Sequence, residues 1–306
     1  MRLVFMGTPA FAAACLSAVL ETKHEIVGVY TKPDTPKNRG MKLIPSEVKL
    51  LAQARGLPVY QPSTFRDDAV FEELKALAPD LIIVVAYGKI LPQRVLDIPP
   101  LGCINIHGSI LPALRGSAPV QWAVLNDLPE TGVTAMYMSA GMDEGDIIAV
   151  RTTPIGENET AGALMERLAP LGAALLKDTL AAIEAGTVTR TPQDPALATY
   201  APMLTKELSP VDWSRPARAI LAQIRGLNPW PAASADFGGT AFKLWEARPW
   251  SAGTQAAPGT PLALTKQGLA VACGDGAVLI TKLQAPGGKA MSAADYFRGH
   301  PIQITP

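Results

Sequence analysis

Hydrophobic residues are distributed in two alternating patterns through the first 186 positions. Short runs that are apolar on both faces occur at 2–6, 25–31, 81–87, 103–107 and 133–138; runs of this kind form strands buried on both sides. Between them, 9–21, 45–55, 69–78 and 118–126 place apolar residues at helical spacing. The alternation predicts an α/β domain with a Rossmann-like, mostly parallel sheet covered by helices on both faces. A longer helix is predicted over 160–184, with polar Asn158, Glu159 and Thr160 at its start and Gly186 just past its end.

Beyond 186 the pattern changes. Residues 187–204 are rich in Thr and Pro and lack periodicity, which predicts a linker. A helix around 215–224 then precedes brief strand-like runs at 232–237, 242–245, 269–272 and 277–283, with Gly and Pro between them. That predicts a small β-barrel-like domain over 205–306.

Composition narrows the function classes. The 306 residues suffice for two domains, and 48% of them are hydrophobic. Lys plus Arg equals Asp plus Glu at 27 each, so nonspecific coating of nucleic acid is excluded. From Lys206 onward there are 10 basic and 6 acidic residues, a net +4, the sign needed to approach phosphate locally. Cys15, Cys103 and Cys273 are odd in number and form no CxxC pair, so neither a disulfide framework nor a zinc site follows. A reducing, cytoplasmic setting is expected. The apolar run from Leu3 to Leu20 resembles a signal peptide, but only Arg2 precedes it as a charge and Gly7-Thr8-Pro9 interrupts it. A strand and a buried helix account for it better, and no stretch is long enough for a membrane span.

The candidate chemistry is concentrated in GCINIHGSILPALRG at 102–116. Residues two apart on a strand share a face, so Asn105 and His107 are presented together while Ile104 and Ile106 face the other way. Both lie at the strand's C-terminal end, where open α/β sheets bind ligands. A core histidine beside a turn-forming asparagine would give the same letters. Two polar groups closing a buried strand before a Gly-bounded loop favour a site. A second polar cluster, GMDEGD at 141–146, contains Asp143 within a glycine-rich turn; alone it reads equally as an ordinary Asp/Gly turn. Asp143, Glu144 and Asp146 lack the ligand number and spacing of a calcium loop, so no metal is expected. Lys32, Lys37, Arg39 and Lys42 form a basic stretch around Asp34, which by itself reads as a solvated loop. Tyr30 and Phe11 read as core residues, and Trp213, Trp230, Trp245 and Trp250 as packing in the small barrel.

Together, Asn-x-His, the following Gly-Ser-Ile-Leu-Pro-x-x-Arg-Gly and Gly-Met-Asp-x-Gly-Asp resemble the folate-dependent formyltransferases. The resemblance implies a catalytic set of Asn105, His107 and Asp143, with Ser109, Ile110, Leu111 and Pro112 contacting the folate; Ile110 replaces the usual Leu. FMGTPAF at 5–11, TKPDTPKNRGMK at 31–42, ATYA at 198–201, Asp212-Trp213 and RGLNPWP at 225–231 are similar to the branch that acts on charged initiator methionyl-tRNA. These matches run nearly end to end.

The resemblance implies 10-formyltetrahydrofolate as co-substrate, initiator methionyl-tRNA as partner, and tRNA contacts from Arg39 and Lys42. It also implies that 1–186 is the catalytic domain, that 205–306 is an OB-like tRNA-binding domain, and that the chain is a monomer. In such a reaction Asn105 would donate to the tetrahedral oxyanion and His107 would shuttle protons. Asp143 would fix the imidazole tautomer and stabilise its cation, or order a proton-carrying water.

The nearest rival is another folate-dependent N-formyltransferase, with glycinamide ribonucleotide or an amino sugar as acceptor. It would not require the Arg39 loop or the C-terminal domain. A nicotinamide oxidoreductase is disfavoured because Met6-Gly-Thr-Pro-Ala-Phe lacks the later glycines of GxGxxG.

Overall fold

The computed structural model describes residues 1–37, 42–251 and 255–305. The chain divides into two compact units. One comprises Met1–Pro119, Thr131–Thr153 and Met165–Pro202; the other comprises Val120–Glu130, Pro154–Leu164 and Met203–Pro306.

The first unit is built on a seven-stranded sheet. Its order is Ile147–Pro154, Glu130–Tyr137, Cys103–His107, Leu81–Val85, Arg2–Gly7, Glu25–Tyr30 and Val59–Tyr60. From Cys103–His107 across to Val59–Tyr60 every pairing is parallel, whereas Glu130–Tyr137 runs antiparallel to Cys103–His107. The mostly parallel sheet expected from the apolar runs is therefore present, and its central strands are buried along their length.

Two strands of this sheet escaped the pattern. Val59–Tyr60 is only two residues long, and Ile147–Pro154 is an edge strand whose outer half alternates between partly buried and exposed positions. Helices Ala10–Leu20, Glu47–Ala54, Asp68–Ala76 and Ala161–Ala185 match the predicted segments to within about two residues. Local chemistry sets their ends. The side chains of Ser46 and Asp67 accept from Lys49 N and Ala69 N, and Thr160 Oγ1 accepts from Ala163 N. Gly186, at φ +66°, closes the last helix. Gly7 is required by space: an added Cβ would stand 2.7 Å from Ala12 Cβ, so the first helix turns tightly off its strand.

The sheet's two faces differ at one end. Gly172 on helix Ala161–Ala185 packs against Phe11 and Ile106. Opposite lies an apolar cluster including Met6, Tyr30, Phe65, Val84, Tyr87 and Cys103. Along Cys103–His107 that second face runs from the Cys103 thiol to Asn105 and His107, so the core gives way to polar groups at the strand's C-terminal end. Tyr30 and Phe11 are core residues as expected, at 0% and 6% exposure.

The second unit carries an antiparallel sheet in the order Ala233–Phe237, Thr240–Trp250, Gly276–Gln284, Gly268–Cys273 and Pro261–Thr265, with Met291–Ser292 added beside Gly276–Gln284. This is consistent with the small barrel read from the sequence. Phe237, Phe242 and Phe297 pack at its centre, Phe297 being supplied by helix Ala293–Gly299. Trp230 corrects an expectation: between Pro229 and Pro231 in a turn, it is 54% exposed rather than packed. The RGLNPWP segment is held by Arg225, which donates to Asp127 Oδ1 and the Glu159 carbonyl, and by Asn228, whose amide donates to Trp245 O. No described helix is long and apolar enough to cross a membrane.

Candidate active site

Asn105 and His107 are 9% and 5% exposed at the end of their strand, side by side as the alternation requires. The structure brings Asp143 to them from 36 residues beyond His107. Asn105 Nδ2 donates to Asp143 Oδ1 at 3.4 Å, and His107 Nδ1 lies 3.7 Å from Asp143 Oδ2. The same Oδ2 accepts the Gly116 backbone N–H at 2.8 Å. Asp143 itself adopts φ +50°, a left-handed conformation that Asp tolerates better than most residues.

The imidazole is oriented from its other side. His107 Nε2 lies 2.9 Å from the Leu114 carbonyl, which can only accept, so Nε2 carries a hydrogen. In the neutral ring Nδ1 is then the unprotonated nitrogen, facing Asp143 at a separation too long for a direct hydrogen bond. Leu114 O thus sets the tautomer, with Asp143 facing the other ring nitrogen. Asp143 is placed either to stabilise an imidazolium at Nδ1 or to order a water beside it. No side-chain pattern announces a backbone carbonyl in this role. Leu114 sits at φ +59°, rare for a bulky residue, and that turn aims its carbonyl at His107.

The turn holding Leu114 is tied to 187–204, read above as a linker. Leu114 N donates to Thr199 Oγ1 at 2.9 Å and Arg115 N to Thr199 O at 2.8 Å. Arg115–Gly116 pairs with Tyr200–Ala201 in parallel, and Ser117 N donates to Ala201 O. Farther back, Gln193 accepts from Arg115 Nε and Nη2 at 3.0 and 2.8 Å. Its own amide donates to Asp143 O at 2.9 Å and Gly145 O at 2.8 Å. Sequence reading missed Gln193, Thr199 and Arg115 in these roles; the ATYA stretch was the one signal that the linker carried more than a tether.

The four expected folate contacts occupy the turn after His107. Ser109 Oγ donates to Ala113 O at 2.6 Å, and Thr134 Oγ1 donates to Ser109 O at 2.6 Å and accepts from Leu111 N at 3.2 Å. Ser109 and Leu111 are buried, whereas Ile110 and Pro112 are partly exposed. A cavity of about 510 Å³ opens beyond the Leu81–Val85 strand, lined by Phe65, Arg66, Gly88, Lys89, Ile90 and Pro92 among others. Burial, and then the neighbouring Lys32 charge, hold the Lys89 ammonium below its ordinary value. A second cavity of about 450 Å³ borders the 144–146 turn, with Arg115, Tyr137, Arg190 and Gln193 in its wall. The Arg190 guanidinium lies 3.7 Å from the Tyr137 ring centre.

Arg39 lies outside the described residues, as does the side chain of Lys42. Among the described residues, no group of three His, Cys, Asp or Glu side chains converges as a metal site. Cys103 shares the strand of Asn105 and His107, but burial, and then Asp97, push its thiol up to about 12. It is no nucleophile near neutrality.

A mostly parallel sheet that presents Asn105 and His107 at one strand's C-terminal end, with Asp143 brought beside them from a turn, forms a constellation able to support acyl transfer. Comparison with known proteins agrees. Residues 1–180 match the formyl transferase family, and residues 203–301 match the formyl transferase C-terminal domain. The chain is 50% identical over 297 residues to the methionyl-tRNA formyltransferase of Pseudomonas putida strain W619, covering 97% of this chain and 95% of that one. It is 46% identical over 304 residues to the methionyl-tRNA formyltransferase of Trichlorobacter lovleyi, covering 99% and 95%. The chain belongs to the formyl transferase family, in its methionyl-tRNA formyltransferase branch.

Among solved structures, the N-formyltransferase of Helicobacter canadensis in complex with folinic acid and dTDP-3-aminofucose shares the fold. Its TM-score is 0.69 at 19% identity, covering 92% of this chain and 98% of that one. HypX of Aquifex aeolicus in complex with tetrahydrofolic acid aligns at TM-score 0.67 and 22% identity, covering 100% of this chain and 49% of that one.

Proposed function

We propose that the chain transfers the formyl group of 10-formyltetrahydrofolate to the α-amino group of initiator methionyl-tRNA, with Asn105, His107 and Asp143 as the catalytic set. The observation that carries this reading is the convergence of Asp143 on Asn105 and His107 at the end of one buried strand. The solved relatives bound to tetrahydrofolic acid and folinic acid support a folate donor. We place it beside the Ser109, Ile110, Leu111 and Pro112 turn and the cavity lined by Phe65 and Ile90. Residues 1–186 serve as catalytic domain and 205–306 as the tRNA-binding domain, with Arg39 and Lys42 contacting the tRNA. The chain acts as a cytoplasmic monomer.

In the reaction a bond forms between the amine nitrogen and the formyl carbon, and the bond from that carbon to the folate nitrogen breaks. The amine loses a proton and the leaving nitrogen gains one. Attack produces a tetrahedral oxyanion. Asn105 commits one amide hydrogen to Asp143 and has a second for that oxygen. His107, with Nε2–H held by Leu114 O, exchanges protons through Nδ1. The resulting cation faces the Asp143 carboxylate. Acyl transfer between two nitrogens requires no metal.

The test is formyl transfer from 10-formyltetrahydrofolate to charged initiator tRNA by the native protein, His107→Ala and Arg39→Ala. His107→Ala should lower turnover about 100- to 10,000-fold with folate still bound. Arg39→Ala should raise the KM for tRNA and leave folate binding intact. Folate binding without any transfer to tRNA would redirect the acceptor assignment to a small amine.

A further inference from the structure

We infer that Gln193 is a positioning residue for Asp143, so that 187–204 is part of the catalytic apparatus as well as a connection; this rests on the catalytic assignment of Asp143 made above. The amide of Gln193 has a defined orientation. Its oxygen accepts two bonds from the Arg115 guanidinium and its nitrogen donates to the carbonyls of Asp143 and Gly145. A flipped amide would oppose two NH groups to the guanidinium and an oxygen to two carbonyls, so four hydrogen bonds select one state.

Asp143 needs this support. Its φ of +50° is a left-handed conformation, and among the described residues Gln193 supplies the side-chain donor to its carbonyl. The carboxylate on the same residue must meet Asn105, His107 and Gly116 N together. Arg115 completes a closed frame. Its side chain anchors Gln193, while the residues on either side supply Leu114 O to His107 and Gly116 N to Asp143. Arg115 is 5% exposed, so the guanidinium that anchors Gln193 is itself buried. Losing the Gln193 amide would free the 143–145 backbone without removing any group that touches substrate. Displacement of a catalytic group by about 1 Å can lower turnover about 100-fold.

The experiment is a double-mutant cycle on formyl transfer with native protein, Gln193→Ala, Asp143→Ala and the double variant, with thermal unfolding followed in each. Gln193→Ala should lower kcat about 10- to 100-fold and leave the KM of donor and acceptor within about twofold. In the Asp143→Ala background the same change should cost less than about twofold, since it acts through Asp143.

Gln193→Glu separates positioning from structure. It keeps the size and strengthens the link to Arg115, yet sets an oxygen against the two carbonyls. It should match the kcat of Gln193→Ala without a lowered unfolding temperature. Equal fold-losses in the native and Asp143→Ala backgrounds, or full activity of Gln193→Glu, would overturn the inference while leaving Asp143 as assigned. Normal turnover by Asp143→Ala would instead remove the catalytic assignment, and the inference with it.

Discussion

At the residue scale, the site is a division of labour around one imidazole. Leu114 O holds Nε2–H, Asp143 faces Nδ1, and Asn105 links to Asp143 through a long 3.4 Å bond. A bond of that length is weak, so the Asn105 amide can swing its hydrogens toward a developing oxyanion at little cost. Asn105→Ala should therefore lower kcat about 100- to 1000-fold while the folate KM changes little. Single-turnover transfer at saturating folate measures it, and an effect confined to KM would show that Asn105 binds donor without stabilising the transition state. Half of this arrangement was legible from the chain: strand alternation alone set Asn105 beside His107. The carboxylate partner came through resemblance, because nothing local distinguishes GMDEGD from a surface turn. Leu114 O was not legible, since every residue has a carbonyl and its aim depends on a backbone conformation that Leu seldom adopts.

At the scale of elements, the same limit explains which parts of the fold could be read. Strands buried on both faces and helices with caps announce themselves, as Leu81–Val85 and the Thr160-to-Gly186 helix do. The edge strand Ile147–Pro154 presents few buried positions and so left no pattern. Tyr200–Ala201 is two residues long and pairs with an equally short partner, so periodicity had nothing to register. That short pair nonetheless places Gly116 N on Asp143. Gly116 has φ +117°, and an added Cβ would stand 2.8 Å from Ala201 O. Gly116→Ala should force the strands apart, at about 1–3 kcal/mol for backbone strain, and reduce turnover as the Asp143 contact is lost. Thermal unfolding and kcat measured together check this. Full activity with native stability would mean that the pairing does not hold the site.

At the scale of the whole molecule, the two units can be interrogated separately by spectroscopy. All five tryptophans, Trp122, Trp213, Trp230, Trp245 and Trp250, belong to the second unit, so tryptophan fluorescence reports its unfolding. Within that unit, Asp127 on the 120–130 segment meets Arg218 and Arg225 of helix Ala217–Gly226. Arg225 is well shielded, with 14% of its side chain exposed, whereas Arg218 is 81% exposed and its pair is screened by water.

Burial works to raise the Asp127 carboxyl, but hydrogen bonds from Arg218 and Arg225 and their charges outweigh it, holding the group below the usual carboxylate range. A folded-state value lowered in this way makes folding favour the ionised form. The stabilisation is complete above the unfolded value of about 3.9 and is lost as pH falls through the lower folded value. Asp127→Asn, which keeps the shape and removes the charge, should destabilise the second unit by about 1–3 kcal/mol near neutrality, the magnitude of a hydrogen bond to a charged group. Denaturant titrations at pH 7, 4 and 2.5, followed by tryptophan fluorescence, should show the native protein and Asp127→Asn converging as the pH drops. A gap that stays constant across that range would mean that the carboxylate contributes nothing through its charge. Arg225 would then be held by the Glu159 carbonyl and by packing alone.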